Sequence, residues 1–297
     1  MGNGLTAGER FRQAVDQHRP LQVAGTINAY CALLAQQTGF EAIYLSGAGV
    51  ANASFGKPDL GVTSRADVVA DVRRIAAASE TPLLVDIDTG WEEESGGIAR
   101  TVVEMIDAGA GAVHIEDQVP AKRCGHREGK VLVTCDAMRQ RVITATEART
   151  DTSFVVMART DAYSVEGLDA AIQRSQRYVD AGAEMIFAEA MKDLEDYRRF
   201  CQAISVPVLA NLTEFGKTPL YTLAEMQEVG VRLVLYPLSA FRAMSKAAQT
   251  VYETIRKDGN QQAVLQNMQT RQQLYDVLGY EQHERQLDDQ LAKEKDD

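Results

Sequence analysis

The sequence lacks the features that would place this protein in a membrane or on a nucleic acid. No apolar run approaches the roughly 20 residues that a membrane-spanning helix needs. The N-terminal residues contain no basic segment followed by an apolar one, so we expect no secretory signal. Acidic residues outnumber basic ones, and the net charge of -11 disfavours phosphate backbones and anionic lipid. We therefore expect a cytoplasmic protein with no nucleic-acid or membrane partner.

Cysteine is scarce as well. The four cysteines are Cys31, Cys124, Cys135 and Cys201, and their wide spacing fits neither a disulfide scaffold nor a zinc cluster. Such spacing is typical of a protein from a reducing compartment. Cys31 and Cys201 lie in helix-like segments with apolar neighbours, so we expect both to be buried as small hydrophobic side chains.

Cys124 has different surroundings, because it lies within the sequence KRCGH at 122–126. Neighbouring positive charge favours a thiolate, which predicts a lowered pKa and a reactive thiol. His126 could act as a general acid, contact a carboxylate or hold the loop by a hydrogen bond. The surrounding loop, 118–130, is long for a strand-to-helix connection and contains two glycines, which favours a lid over an ordinary surface loop.

Eight short apolar runs alternate with alanine-rich amphipathic segments along the chain. Each run reads as a strand that is buried on both faces, as in a parallel sheet. Eight such units favour a (β/α)8 TIM-type barrel over an open doubly wound sheet, and no Gly-x-Gly-x-x-Gly follows the first run. The runs are 22–26, 42–46, 83–88, 112–117, 154–161, 185–189, 208–213 and 233–237. Helix candidates between them include 29–38, 64–79, 96–108, 168–181 and 194–203, and glycine follows several of these segments at 39, 109, 182 and 230.

Two further helical segments, 239–257 and 261–278, exceed what one barrel needs. We therefore predict a single barrel domain over 1–297 with a C-terminal helical extension that ends in a polar tail from about 281 to 297. At least one of the extra helices is expected to dock on another subunit, which predicts a homo-oligomer.

Polar residues follow most of the predicted strands at the same relative position. The C-terminal strand ends of a (β/α)8 barrel carry its chemistry, so these side chains predict an active site at that edge. Isolated caps or surface ion pairs could explain one of them, but they explain the whole set poorly. The residues are Ser46, Asp86, Asp88, Glu116, Arg159, Asp161, Glu189, Asn211 and Thr213.

Asp86 and Asp88 are two positions apart, which puts both carboxylates on the same face of a strand. Two like charges this close need a cation. Carboxylate oxygens without nearby histidine or thiolate favour Mg²⁺, or Mn²⁺, over zinc. The alternative is that Asp88 caps the segment that follows it.

Ser46, Gly47 and Ala48 follow the second run. Small residues expose backbone N–H groups, which can hold a carboxylate or a phosphate. A simple tight turn would explain this motif as well.

Together these motifs resemble the isocitrate lyase/phosphoenolpyruvate mutase superfamily, over about residues 5 to 290. The KRCGH string is specific to the lyase branch of that superfamily. The chain departs from the family pattern at Ala48, where glycine is usual, and at Leu212, where methionine is frequent. The matching strings are YLSG at 44–47, PDLG at 58–61, DIDTG at 86–90, KRCGH at 122–126 and NLTEFG at 211–216, together with Arg242.

The resemblance implies cleavage of a carbon–carbon bond in a small tricarboxylate, 2-methylisocitrate, to give pyruvate and succinate. Cleavage of dimethylmalate or isocitrate and an oxaloacetate decarboxylase activity are the alternatives. The resemblance also implies Mg²⁺ at Asp86 and Asp88, and a homotetramer built from dimers that exchange their last helix. It implies room for an extra methyl group beside Phe187, Leu235 and Pro237.

The same resemblance assigns roles within the site. Cys124 is expected to deliver a proton to the carbanion that cleavage leaves, and His126 belongs to the same catalytic group. Tyr44 and Glu116 both remain candidates for the base that removes the hydroxyl proton. Arg242 and Arg271 would be solvated helix residues by sequence alone, and only the resemblance places them at the substrate. The implied substrate contacts are Ser46, Gly47, Ala48, Asp59, Lys122, Gly125, Arg159, Glu189, Asn211, Leu212, Thr213, Arg242 and Arg271.

Overall fold

Eight parallel strands close into a barrel in sequence order, and β8 pairs with β1. The computed structural model describes residues 4–94 and 96–296. All eight predicted strands are present, each within two residues of its predicted start and shorter at its end. They are β1 Leu21–Gly25, β2 Ala42–Leu45, β3 Leu83–Asp86, β4 Ala112–Glu116, β5 Val155–Thr160, β6 Met185–Ala188, β7 Val208–Asn211 and β8 Leu233–Tyr236. The predicted (β/α)8 fold is confirmed.

Helices follow the strands, and the predicted helical segments up to residue 203 are confirmed. Several begin at a serine, threonine or asparagine whose side chain caps the first turn, as at Ser64 and Thr134. In the barrel part the helices are α1 Ala7–Gln17, α2 Ala29–Gln37, α3 Gly47–Gly49, α4 Arg65–Ala78, α5 Gly97–Asp107, α6 Cys135–Glu147, α7 Tyr163–Glu166, α8 Leu168–Asp180, α9 Leu194–Ala203 and α10 Leu223–Glu228, with a π-helical turn at Val50–Ser54.

Four of these helices end at the predicted glycines. Gly39, Gly109, Gly182 and Gly230 all have positive φ, between 86° and 108°. The left-handed backbone there ends the helix and turns the chain toward the next strand, and side chains other than glycine rarely adopt it.

Side chains along each strand alternate between two cores, because successive residues of a strand face opposite sides. In β4, Val113 and Ile115 pack outward against the helices, while Ala112 lies in the barrel interior with residues of the other strands. The interior cluster also includes Phe11 of α1, so that α1 covers the N-terminal end of the barrel. The opposite end of the barrel carries the polar side chains.

The chain divides into two units, 1–239 and 240–297. The second unit holds most of α11 Ser239–Asp258, a 3₁₀ turn Gln262–Asn267, α12 Arg271–Leu278 and α13 Tyr280–Asp296. The helix predicted over 261–278 is therefore interrupted, because Thr270 and Gln273 form a capping box that begins a new helix. The predicted polar tail is helical, and its described side chains are exposed. In the described part of the chain, no helix is both long and apolar enough to cross a membrane.

Candidate active site

The polar residues at the C-terminal ends of the strands face the barrel interior. Residues two apart on a strand face the same side. Leu84, Met157 and Leu209 lie in the interior cluster, and the residues two positions beyond them are Asp86, Arg159 and Asn211. Glu116 lies four positions beyond the interior residue Ala112 and therefore faces the same way. The register brings them side by side: Glu116 pairs with Arg159 across β4 and β5. All four are buried. The predicted convergence at this edge of the sheet is therefore present in the structure.

Asp86 and Asp88 form an acidic pair beside the second strand. The N–H of Gly47 donates to Asp86 Oδ2 at 3.0 Å, and the N–H of Asp88 donates to Asp86 Oδ1 at 3.0 Å. A Cβ on Gly47 would lie 3.1 Å from Asp88 Oδ1 and 3.2 Å from Asp86 Oδ2, so glycine leaves the space in front of both carboxylates clear. Asp88 has a positive φ of 48°, a strained conformation that is typical of functional sites.

The charges of the two acids are set by different neighbours. Burial alone would raise the pKa of Asp86, but His114, Lys122 and Arg159 lower it to about 2. Burial raises the pKa of Asp88 to about 6. The nearby Lys122 ammonium lowers it and the negative charge of Asp86 raises it, so the effect of burial prevails. Lys122 Nζ contacts Asp88 and lies 2.9 Å from Asp59 Oδ1.

These residues fit a divalent ion that prefers oxygen. Asp86 and Asp88 offer hard carboxylate ligands, and both oxygens of the fully buried Glu116 lack a hydrogen bond. Within the described residues, no three His, Cys, Asp or Glu side chains form a ready-made metal cluster. An ion held here by two carboxylates would complete its shell with water and substrate oxygens, as Mg²⁺ usually does.

Arg159 is the central cation of the site. Its Nη1 lies 3.3 Å from Glu116 Oε2, its Nη2 lies 3.3 Å from Glu189 Oε2, and its Nε donates to Asp161 Oδ2 at 3.0 Å. Burial would raise the pKa of Glu189, but Arg159 and a hydrogen bond from His126 lower it far below its usual range. Glu189 is therefore ionised, and Arg159 is shared among three acids.

The two candidate bases are both buried and hold their protons more tightly than usual. Burial raises the pKa of Glu116 well above its ordinary value, although Arg159 and Lys122 oppose the effect. Burial and then the charge of Asp86 raise the pKa of Tyr44. The Tyr44 hydroxyl makes a 2.9 Å hydrogen bond with His114 Nε2, and burial lowers the pKa of that imidazole to about 4. His114 is thus a neutral support for Tyr44.

The loop predicted to be a lid is pinned at its base and folded onto the site. Gln118 and Leu132 form an isolated antiparallel bridge, and the N–H of Val119 donates to Val131 O at 3.0 Å. Inside this neck, the Gln118 amide donates to Arg123 O at 2.9 Å and accepts from the Arg123 N–H at 3.0 Å. The structure therefore shows the loop folded onto the strand ends, while its role as a lid stays a prediction.

Gly125 and His126 carry the lid's contact with the site. A Cβ on Gly125 would lie 2.5 Å from Glu189 Cγ and 2.6 Å from Arg159 Nη2, so only glycine allows this approach. The N–H of Lys217 donates to His126 Nδ1 at 2.9 Å, and His126 Nε2 lies 2.9 Å from Glu189 Oε1. Because Nδ1 accepts a hydrogen bond, the ring proton is on Nε2 and is donated to Glu189.

The predicted lowering of the Cys124 pKa is wrong. Burial is the largest effect and raises the pKa of this thiol. A hydrogen bond with the His126 backbone and the charge of Arg159 lower it, the charges of Asp59 and Glu189 raise it, and the net pKa is raised. Lys122, the predicted cationic neighbour, is directed at Asp59 and Asp88. A raised pKa favours the protonated thiol at neutral pH.

Other predicted residues divide between the barrel interior and places outside it. Phe187 and Leu235 lie in the interior core, and the Phe187 ring contacts His114 edge-on at 4.9 Å between centroids. Pro237 is buried just beyond the end of β8. Leu212 packs in the outer core, because its neighbours in the alternation are Asn211 and Thr213. Its side chain is therefore turned away from the predicted substrate site.

Ser46 and Ala48 lie at the start of the short helix α3 beside Asp86. The side-chain amide of Asn211 lies 3.3 Å from Glu189 Oε1 and from His126 Nε2, so it joins the same group. Arg242 and Arg271 are on α11 and α12 in the second unit, and their substrate contacts stay a prediction.

Two residues that the sequence did not single out for the site are buried within it. Lys130 Nζ lies 2.8 Å from Asp161 Oδ1, and Asp117 accepts from the N–H of Asp161 at 2.9 Å. Asp117 directly follows the end of β4 and Lys130 ends the lid, and neither has a sequence motif of its own. Only the folded lid brings Lys130 back to the strand ends.

With this geometry in place, the comparison with known proteins is specific. The family model for phosphoenolpyruvate phosphomutase matches residues 11–256. The chain belongs to this family. A 2-methylisocitrate lyase of Escherichia coli (strain K12) is 54% identical over 286 residues, covering 96% of this chain and 97% of that protein. A 2-methylisocitrate lyase of Bacillus subtilis (strain 168) is 44% identical, covering 96% and 93% of the two chains.

Solved structures of the phosphoenolpyruvate phosphomutase family share the whole fold. A crystal structure of 2,3-dimethylmalate lyase has a TM-score of 0.87 at 33% identity, covering 95% of this chain and 94% of that one. A phosphonopyruvate hydrolase in complex with oxalate and Mg²⁺ has a TM-score of 0.82 at 28% identity, covering 95% and 98%. The fold is thus shared, over 95% of this chain in both comparisons, with enzymes whose names denote different reactions.

Proposed function

We propose that this protein is a lyase that cleaves 2-methylisocitrate to pyruvate and succinate. The observation that carries the proposal is the turn of Cys124 and Gly125, which the closed lid holds against Arg159 and Glu189. A protonated thiol beside a cation and an oxygen-rich acidic pair suits the cleavage of a hydroxy-polycarboxylate whose carbanion must be protonated. The names of the relatives that are 54% and 44% identical over nearly the whole chain support the same substrate.

The substrate would be oriented by its carboxylates. Arg159 presents a guanidinium that can bind a planar carboxylate in a two-point fashion, once substrate competes with its present acidic partners. The N–H of Ala48 would offer a second anchor beside Asp86, whereas the Gly47 N–H already donates to Asp86 Oδ2. Mg²⁺ bound at Asp86 and Asp88 would supply positive charge to the substrate's hydroxyl and adjacent carboxylate oxygens.

Two proton movements accompany the cleavage. The substrate hydroxyl gives its proton to a base, for which Tyr44 and Glu116 are the candidates, and its carbon becomes the ketone carbon of pyruvate. Burial favours the protonated form of both side chains, so either could act as the base only after positive charge bound beside it had favoured its anion. The electron pair of the broken carbon–carbon bond stays on the succinate fragment. The Cys124 thiol then donates its proton to that carbon. Once the products leave, the base releases the proton that it took from the hydroxyl and the thiolate takes one up from solvent, so the protons balance over the cycle. The lid excludes water, which would otherwise protonate the carbanion from any side.

A second candidate is cleavage of 2,3-dimethylmalate, because a dimethylmalate lyase shares this fold at 33% identity over 95% of the chain. The resemblance associates Phe187, Leu235 and Pro237 with room for an extra methyl group, and both acids carry such a group. We retain 2-methylisocitrate because the relatives with that name are more similar in sequence.

We also propose that the protein is cytoplasmic and forms a homotetramer in which dimers exchange their last helix. The second unit supports this, because it exposes large apolar side chains on α11, including Met244, Tyr252 and Ile255. Isolated exposed apolar residues are common, but several on one helix indicate a surface that another chain covers.

Direct assay of the products tests the proposed activity. The purified protein is incubated with Mg²⁺ and, separately, with 2-methylisocitrate, isocitrate and 2,3-dimethylmalate, and pyruvate and glyoxylate are quantified. We expect pyruvate from 2-methylisocitrate at a kcat/KM well above that for dimethylmalate, and little glyoxylate from isocitrate. The reverse ranking for either competing acid would overturn the substrate assignment.

The role of the thiol is tested in the same assay. Cys124→Ser is expected to lower turnover by a factor of about 10² to 10⁴, the range for loss of a general acid. Binding of pyruvate or a succinate analogue should survive, because neither needs the thiol. Cys135→Ser, which changes a partly buried cysteine at the start of α6, is the matched control and should keep near-normal activity. Near-normal turnover of Cys124→Ser would exclude the proton-donor role.

A further inference from the structure

We propose that Lys130 is the positioning residue that latches the closed lid and thereby fixes Cys124 over the substrate. This inference rests on the proposed lyase function, because it assigns Lys130 a part in that reaction. Lys130 is the last residue of the lid loop 118–130. The argument depends on where its side chain reaches and on what the lid would lose without it.

The Lys130 ammonium joins the tip of the lid to the barrel. Its Nζ donates to the backbone carbonyl of Gly125 at 2.5 Å and lies 2.8 Å from Asp161 Oδ1. Asp161 follows the end of β5, whereas Gly125 directly follows Cys124. One side chain therefore fixes the residue next to the thiol to a strand end of the rigid scaffold.

Both partners of this contact are sealed from water. The side chains of Lys130 and Asp161 are 2% and 0% exposed. Buried ionic hydrogen bonds are strong when every partner is satisfied and costly when one partner is missing. Because Lys130 and Gly125 belong to the lid and Asp161 belongs to the barrel, the ion pair between Lys130 and Asp161 favours the closed lid over an open one.

Asp161 connects the latch to the substrate-binding cation. It accepts from Arg159 Nε at 3.0 Å, and its own N–H donates to Asp117 Oδ1 at 2.9 Å. Arg159 also reaches Glu189, which accepts the hydrogen bond from His126 on the lid. The lid is thus held at two adjacent residues, Gly125 by Lys130 and His126 by Glu189, and both contacts lead back to Arg159.

This geometry separates Lys130 from residues that only stabilise the barrel. Its contacts lie on the lid tip and on Asp161, and the turn they hold continues through the hydrogen bond from the Arg127 N–H to Cys124 O at 2.9 Å. Loss of the ammonium should therefore leave the barrel folded and displace the thiol. A displacement of about 1 Å at a reacting group can lower the rate about 100-fold.

The test compares Lys130→Met with Glu128→Gln, which changes an exposed residue of the same lid. Lys130→Met is expected to lower kcat about 100-fold with KM changed only a few-fold. The melting temperature should fall, because Asp161 then keeps, among the described residues, only Arg159 as a cationic partner, but the protein should stay folded at the assay temperature. Glu128→Gln should behave like the unmodified protein in all three measurements.

A double-mutant cycle identifies the route of the effect. If Lys130 acts by placing Cys124, then Lys130→Met should cost little further turnover in a Cys124→Ser background. An equal fold-loss in both backgrounds, or a kcat for Lys130→Met within twofold of the unmodified protein, would overturn the proposal. Should Lys130→Met fail to fold, Lys130→Gln keeps a donor for the Gly125 carbonyl without the charge and is measured in its place, with an intermediate loss expected.

A second readout does not depend on turnover. The rate at which N-ethylmaleimide modifies Cys124, followed by mass spectrometry of the peptide, should rise several-fold in Lys130→Met because the lid opens more often. An unchanged rate would count against the latch. If the unmodified protein does not cleave 2-methylisocitrate, the proposed function fails, and the modification rate alone decides the latch.

Discussion

At Gly125 the backbone of the lid comes closer to the site than a side chain would permit. Gly125 does not have a positive φ. The position needs glycine because its Cα lies so close to Glu189 and Arg159 that an added Cβ would overlap with them. The residue therefore sets how deeply the lid can close. Its neighbour Cys124 depends on that depth for its distance to the substrate.

We expect Gly125→Ala to lower kcat about 100-fold, because the added methyl would hold the lid away from Arg159 by roughly the overlap that it creates. The lid folds onto an intact barrel, so the free energy of unfolding should change little. Steady-state kinetics and chemical denaturation measure the two quantities. Normal turnover in Gly125→Ala would show that chemistry does not need the lid at this depth.

The pH dependence of Cys124 should reflect its burial. Because burial raises the pKa of the thiol, it stays protonated to a higher pH than a thiol in a short peptide, whose pKa is about 8.5. A proton donor is active below its pKa, so kcat should not decline through this ionisation until the pH passes above that ordinary value. The rate of Cys124 alkylation against pH, followed by mass spectrometry, gives the midpoint directly. A midpoint below 8.5 would contradict the burial argument.

The sequence predicted that the polar side chains of the site converge at the strand ends, as they do, but it predicted the wrong direction for the pKa of Cys124. The prediction of a lowered pKa for Cys124 used the cations that are adjacent to it in the sequence KRCGH. The pKa depends instead on the groups that are close to the thiol in the folded structure. Lys122 is held by Asp59 and Asp88, and burial dominates at the thiol. Lys130 was missed for the same reason, since no motif marks a lysine that returns to the site only when the loop folds.

Among the elements, the strands were predictable because a parallel barrel requires apolar runs on both faces. Their regular alternation also predicted which polar side chains would face inward, and it shows why Leu212 does not. The second helix of the extension was less predictable. Thr270 and Gln273 resemble ordinary helix residues until the capping box forms between them.

The lid is anchored to helix α6 by one arginine. Arg141 Nη1 donates to the carbonyl oxygens of Glu116 at 2.8 Å and Gln118 at 2.7 Å, at the point where β4 becomes the lid. Arg141 also pairs with Glu92, and its side chain is 5% exposed. One buried side chain therefore fixes the segment 116–118, where β4 ends and the lid begins.

We expect Arg141→Met to lower the free energy of unfolding by about 3 kcal/mol, because two buried carbonyl groups lose a charged donor. Arg139→Met on the same helix is the control, since Arg139 is 37% exposed and, among the residues that the structure describes, forms an ion pair with the exposed Asp136. The control should lie within about 0.5 kcal/mol of the unmodified protein. Urea denaturation of both variants provides the measurement, and equal stabilities would contradict the assigned anchor.

For the whole molecule, the exposed apolar side chains of the second unit matter most. Tyr252 and Ile255 on α11 are 71% and 42% exposed, and Met244 is 42% exposed. They recur at spacings of three and eight residues, which places them toward one side of a helix. Such a helix is expected to find its apolar partner on another chain.

We predict that sedimentation analysis gives a species of about four times the chain mass of 32.5 kDa. Ile255→Glu should shift the protein to smaller species, because a charge would be buried at the contact. Lys257→Glu, two residues along and on the opposite side of α11, is the matched control and should keep the tetramer. A tetramer that survives Ile255→Glu would place the contact elsewhere.

The bridge between Gln118 and Leu132 gives the lid a fixed neck. The two ends of the lid are paired with each other at this bridge. Residues could therefore be inserted between them without disturbing the pairing of the barrel strands. An insertion there alters how far Cys124 extends and which end of a substrate it meets, while the scaffold keeps its stability. The length of the lid can in this way vary independently of the stability of the barrel. Changes in this single loop could therefore give the same barrel a new reaction.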